Sequence, residues 1–203
     1  MRCVVTFLLL TLISGVCRAD TWRIPNSTSP DKQYYLTIEA EPDDALDGSG
    51  QIEIRKNASK HPLVTFSFEQ YGVINADSVG HLKVLWRKDS KAFAITIGTM
   101  KDWADSSVYV EDGAQWSQAA VPVFKPKYNP KEGWSDRGKG AFVVLAWLKD
   151  ATLKMHFEDD IYRFDKDGQM ECLPSYWVYL KVFNGPKGCV MNMLRSEEDK
   201  TEN

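Results

Sequence analysis

The 203-residue sequence predicts an all-β fold: one antiparallel domain assembled from recurring β-hairpins. Three observations carry this expectation. Apolar residues recur with period two along most of the chain, the pattern of a strand with one buried and one wet face. Clusters of Gly, Asp, Asn and Pro punctuate these runs, as tight turns between strands require. One hairpin-like stretch recurs three times, around Asp31, Asp89 and Asp150.

The strands follow in order. In YYLTIEA, Tyr34, Leu36 and Ile38 alternate with Tyr35, Thr37 and Glu39. In QIEIRK, Ile52 and Ile54 alternate with Gln51, Glu53 and Arg55. In LVTFSFE, Val64, Phe66 and Phe68 alternate with Thr65, Ser67 and Glu69, and in TLKMHFE, Leu153, Met155 and Phe157 alternate with Lys154, His156 and Glu158. Two stretches, 141–147 and 176–183, are apolar on both faces and read as interior strands. Turn signals at 47–50, 56–57, 111–113, 165–168 and 184–186 separate the runs. The pattern gives ten or eleven strands and no helix. Residues 117–140 show little periodicity and read as irregular, and the polar tail 196–203 is expected to fray.

The three recurring stretches align on their aspartates, 58 and 61 positions apart, and Trp86 and Trp147 each stand three residues before theirs. The physical reading is a strand ending at an aromatic, a tight turn in which Asp binds local backbone N–H groups, and a return strand. SPDKQYYLTI and LWRKDSKAFAIT resemble the turn-and-strand signature of TolB-like β-propeller blades, as found in exported bacterial proteins. The resemblance covers about 35 residues. It implies blade-like hairpins, but a spacing near 60 is long for a four-stranded blade, and three units cannot close a ring of four to eight. The expected architecture is therefore an open sheet or sandwich of blade-like hairpins rather than a closed propeller.

The first residues belong to export, not to the fold. A short basic start is followed by an apolar run over 4–16, too short to span a bilayer. Cys17-Arg18-Ala19 then places a small residue three before and one before a cut ahead of Asp20, the pattern of a signal peptide over 1–19. The expected domain covers 22–195, periplasmic or secreted. Cleavage leaves 23 basic against 28 acidic residues, a balance that disfavours nucleic acid or an anionic membrane as partner. Nothing in the mature part is long and apolar enough for stable membrane insertion. Two cysteines remain, Cys172 and Cys189, and in an oxidising compartment an even pair reads as a disulfide.

No motif calls for a cofactor or a metal. None of His61, His81 and His156 is near a Ser or Cys in a nucleophile motif. Asp165, Asp167 and Gly168 match a fragment of a calcium loop, but position 176, where the loop needs Glu, is Tyr. The stronger signal is aromatic. Trp103, Trp116 and Trp134 stand in polar, loop-like sequence, with Asp102 and Asp105 beside the first. Tryptophan in such positions commonly anchors a partner. These five residues are the candidate binding site of an exported, non-enzymatic interaction domain. A protein partner, such as the target of an inhibitor or immunity-type protein, is preferred to a polysaccharide. The alternative from another class is a hydrolase acting on envelope polymers through Asp102 and Asp105.

Overall fold

The computed structural model of the chain describes residues 20–40, 47–71, 79, 82–100, 103–113, 115–126, 133–136, 141–158, 161–185 and 188–200. Among these the chain forms fifteen β-strands and one 3-10 turn. The first sheet is an antiparallel meander of β1 (Asp20–Arg23), β2 (Tyr34–Ala40), β3 (Asp47–Lys56) and β4 (Pro62–Tyr71). The second repeats that order with β5 (Lys83–Trp86), β6 (Ala92–Met100), β7 (Trp103–Asp112) and β8 (Gln115–Ala119). After β9 (Ser135–Asp136) come β10 (Ala141–Trp147), β11 (Thr152–Glu158), β12 (Ile161–Phe164), β13 (Met170–Cys172), β14 (Tyr176–Gly185) and β15 (Gly188–Glu198). The third sheet has the order β10-β11-β14-β15, and a small satellite sheet has the order β13-β12-β9. Among the described residues the fold is all-β and antiparallel, and no sheet closes into a barrel or propeller.

The recurring hairpin is the same element in each large sheet: the turn between its first and second strands. In the first two turns the aspartate carboxylate accepts a backbone N–H two residues on, Gln33 to Asp31 and Lys91 to Asp89, each at 3.0 Å. The residue after each aspartate has a left-handed backbone: φ is 61° at Lys32, 61° at Ser90 and 54° at Ala151. This is the position where the blade-like signature carries Gly or Ser, because L side chains crowd the backbone there. The third turn departs from the pattern. Asp150 is itself left-handed, and Lys149–Ala151 form a 3-10 turn.

These turns make one testable contribution to stability. Burial alone would raise the Asp31 and Asp89 carboxyls. Hydrogen bonds from Ser29 and the Gln33 N–H for Asp31, and from Arg87 and the Lys91 N–H for Asp89, outweigh it and hold both below the ordinary value of 3.8. A carboxyl depressed in the folded state stabilises the fold above its unfolded pKa and loses that contribution as pH falls through the folded value. Urea midpoints of the wild type are therefore expected to drop on acidification below about pH 4. Asp89→Asn should be less stable at neutral pH and show a shallower acid decline. An unchanged acid limb in that variant contradicts the assignment.

Two cores hold the sheets in a stack, with the second sheet in the middle. Its strands alternate large and small. Phe93, Ile95, Tyr109 and Trp116 face the first sheet and meet Leu36, Ile38, Ile52 and Ile54. Ala92, Ala94, Val108 and Ala119 face the third sheet and meet Val144, Leu153, Met155, Val178 and Leu180. Equivalent tryptophans tie neighbouring sheets: Trp86 Nε1 donates to Ser27 O at 2.8 Å and Trp147 Nε1 to Leu85 O at 2.9 Å. Both acceptors stand four residues before their sheet's turn aspartate. The stack ends on polar outer faces. On the first sheet Glu53 accepts from Thr37 Oγ1 at 2.6 Å and from Arg55 at 2.6 Å. On the third, Lys154 lies over Trp177 and Arg195 over Tyr179, each at 4.1 Å. A polar outer face stops further stacking, as the end repeats of stacked architectures do.

Several expectations change, among them the turn expected at 47–50, which is the first part of β3. The span 141–147 is not interior to its ladder: β10 is an edge strand, and only Val144, Phe142 and Trp147 enter the core it shares with the middle sheet. The irregular stretch contains the end of β8 and all of β9. The tail begins later than residue 196, because β15 runs to Glu198 and Asp199 is buried. The Cys172–Cys189 bridge is not formed, and Cys189 is a free, half-buried thiol. Its partner strand lies elsewhere: Cys172 pairs with Tyr162 in the satellite sheet, whereas Cys189 pairs with Asn184 at the start of the β14–β15 hairpin. Burial pushes the Cys189 thiol up, with Arg87 only partly opposing it. Residues 1–19, the expected signal peptide, lie outside the described residues.

Candidate functional site

Of the five sequence-derived site residues, Trp116 and Trp134 have described side chains, one on β8 and the other beside β9, in different sheets. Trp116 is not in a loop. It lies on β8 opposite Glu111, is 6% exposed, and meets Tyr34 edge-on at 5.7 Å and Trp86 at 6.0 Å. Its ring belongs to the core between the first two sheets and presents no face to a ligand. Trp103 opens β7 opposite Met100, and Asp105 follows on the same strand opposite Ile97. Asp102 lies outside the described residues. Trp134 is half-buried beside β9, with the Arg163 guanidinium 4.7 Å from its ring centroid.

Three surfaces remain as candidates. The first is an open groove of about 460 Å³ lined by Ser106, Ser107, Gln118, Ala119, Ala120 and Val121. Its lining is small and uncharged, so these residues supply no general acid or base.

The second is the outer face of the third sheet. His156 is 9% exposed, more buried than its place on a polar face foretells. Its Nδ1 lies 3.0 Å from Glu158 and its Nε2 3.2 Å from Asp199. Both nitrogens thus face carboxylates, and the ring packs 4.5 Å from Trp177. The rings on this face are already covered by Lys154 and Arg195, which leaves little aromatic surface for a ligand. Among the described residues no group of three or more His, Cys, Asp or Glu could hold a metal ion. Asp165, from the calcium-loop fragment, accepts the N–H groups of Asp167 and Gln169 at 2.8 Å each, which makes it a hairpin-turn residue.

The third surface is the satellite sheet. Phe164 pairs with Met170 across β12 and β13, so their side chains stand together on one face. They are 64% and 59% exposed. Tyr162, two residues before Phe164 and on the same face, meets it edge-on at 5.7 Å. Arg163 projects to the opposite face, where it covers Trp134. Neither apolar core includes Phe164 or Met170. The Asp-Lys-Asp-Gly turn at 165–168 is plain in the sequence, whereas these two residues are not singled out by it. The signal was available: Tyr162 and Phe164 alternate into that turn, and Met170 leaves it in register.

Comparison with known proteins adds no relative: no family model matches the chain, and no match was found among curated proteins or solved structures. Among the described residues no helix is long and apolar enough to cross a membrane.

Proposed function

We infer that the protein is an exported, non-enzymatic interaction domain whose contact surface is the satellite sheet β13-β12-β9, with a protein as partner. One observation carries the reading. Phe164 and Met170 are large, adjacent and exposed, and neither of them belongs to an apolar core. Adjacent exposed apolar side chains on a polar chain cost solubility unless something covers them, and Phe and Met are among the residues enriched where proteins meet. A protein suits the patch better than a polysaccharide, because the exposed pair joins an aromatic ring to a flexible thioether rather than offering a row of ring faces. Arg163 braces Trp134 behind it, which leaves the patch on a three-stranded sheet rather than a free loop. The three-fold hairpin with its tryptophan ties is the scaffold that presents this sheet. In this reading its blade-like character reflects kinship with TolB-like blades, and residues 1–19 act as the export signal.

The test is a double variant, Phe164→Ala with Met170→Ala. Both side chains are exposed, so thermal stability should move little, within about 0.5 kcal/mol for each. Capture of a discrete envelope protein, identified by a photo-crosslinker placed at Tyr162, should fall at least tenfold, because truncating anchors commonly costs more than 1 kcal/mol each. Unchanged capture by the double variant, or a crosslink that reports only polysaccharide, would overturn the reading.

A further inference from the structure

We propose that β15 is a self-complementary edge through which two copies of this chain pair antiparallel about Ser196, joining their third sheets into one eight-stranded sheet. β15 is the longest strand, Gly188–Glu198, and forms the outer edge of its sheet. Among the described residues its outer side is bridged only near its start, by Ala120 at Val190. From Asn192 to Glu198 every residue is exposed, including Leu194 at 57%. Such an edge is a template for another strand.

The hydrogen-bond phase of β15 fixes which register is open. The Asp199 N–H donates to Ser175 O at 2.8 Å, so the backbone of Asp199 points toward the chain of β14. Steps of two from Asp199 give Glu197 and Arg195, whose backbone groups therefore point at β14. Ser196 and Glu198 then point their backbone groups outward. A two-fold axis at Ser196 makes the two serines a hydrogen-bonded pair flanked by Arg195 and Glu197, and the register shift of β15 at Leu194 bounds this regular stretch.

Charge selects the same register. Arg195 and Glu197 lie on one face, 2.8 Å apart, and are 60% and 46% exposed. About Ser196, Arg195 of each copy falls opposite Glu197 of the other, in the non-hydrogen-bonded pair where side chains approach most closely. Four alternating charges then form a square, each with an opposite charge beside it and across from it. The ladder is short, so the dimer should be weak, with a dissociation constant on the order of micromolar.

Sedimentation equilibrium between micromolar and millimolar concentration tests this. The wild type should show a monomer–dimer equilibrium. Arg195→Glu sets carboxylates opposite carboxylates, and Glu197→Arg sets guanidinium opposite guanidinium. Each should weaken the dimer about tenfold, because two like-charge contacts replace two favourable ones. The double variant Arg195→Glu/Glu197→Arg restores opposite charges across the axis and should restore the dimer. Melting temperatures at low concentration check that all variants fold. A wild type that stays monomeric at millimolar concentration overturns the proposal, as does a dimer indifferent to the single reversals or not rescued by the double swap.

Discussion

Trp116→Ala is expected to cost about 3–5 kcal/mol, the range for truncating a buried Trp. The ring fills the junction of Tyr34, Trp86 and Phe93 between the first two sheets, with centroids 5.7, 6.0 and 5.7 Å away. Nothing in the ladder of β8 can slide in to close the cavity, because β8 is an edge strand of five residues. Such a loss is a large fraction of the stability of an ordinary domain. A milder pair of variants separates packing from hydrogen bonding. Trp86→Phe deletes an indole N–H that donates to Ser27 O at 2.8 Å and leaves that carbonyl without its donor. Trp116→Phe deletes an N–H that is buried and has no hydrogen-bond partner, which removes a desolvation cost along with the contact. Trp86→Phe should therefore be the more damaging of the two, by about 1–2 kcal/mol. Urea unfolding followed by far-UV circular dichroism measures all three. Trp116→Ala within 1 kcal/mol of wild type would mean that the ring is not core, and would reopen its reading as a binding residue.

The same pair of tryptophans shows what the sequence made legible. The position of Trp86 three residues before a turn aspartate, matched by Trp147, marked a repeat. The structure gives each of them the same bond to the preceding sheet. Period two located Leu36, Ile38, Ile52, Ile54, Leu153 and Met155 in the cores, because a strand with one wet face has no other way to hide its apolar side. Polar neighbours misled the reading of Trp116. Gln115, Ser117 and Gln118 flank it, yet in a strand the residues on either side point the other way, so flanking polarity reports on the opposite face. Sheet assignment was out of reach for a further reason. Cys172 and Cys189 flank one strand in sequence, but β13 belongs to an inserted satellite sheet, and no local pattern records that departure. Glu53 is buried behind Thr37 and Arg55, although alternation alone marks it as solvent-facing.

Ala94→Leu is expected to destabilise the protein by about 3 kcal/mol, although it adds only apolar atoms to an apolar site. Ala92 and Ala94 are fully buried against the third sheet, and their small size lets that sheet come close enough for direct hydrogen bonds between sheets. The bonds form a relay. The Val144 N–H donates to Thr96 Oγ1 at 3.2 Å, and Ser106 Oγ donates to Phe142 O. Ser106 thereby uses its one hydroxyl proton, so the 2.8 Å contact between the hydroxyls has Thr96 as donor. Three bonds thus depend on the separation that the alanines set. Overpacking a well-filled core costs about 1–3 kcal/mol, and each relay bond lost as the sheets part adds about 1 kcal/mol. Thr96→Val provides the complementary change. It keeps the side-chain shape but strands the Val144 N–H, at a cost of about 1–3 kcal/mol. If separation is the common cause, Ala94→Leu and Thr96→Val should be non-additive, the double variant costing less than the two singles together, because the relay can be lost only once. Equilibrium unfolding of the two singles and the double completes the cycle. An Ala94→Leu protein within 1 kcal/mol of wild type, or strict additivity between the two changes, would show that the middle and third sheets are not held at a distance fixed by alanine.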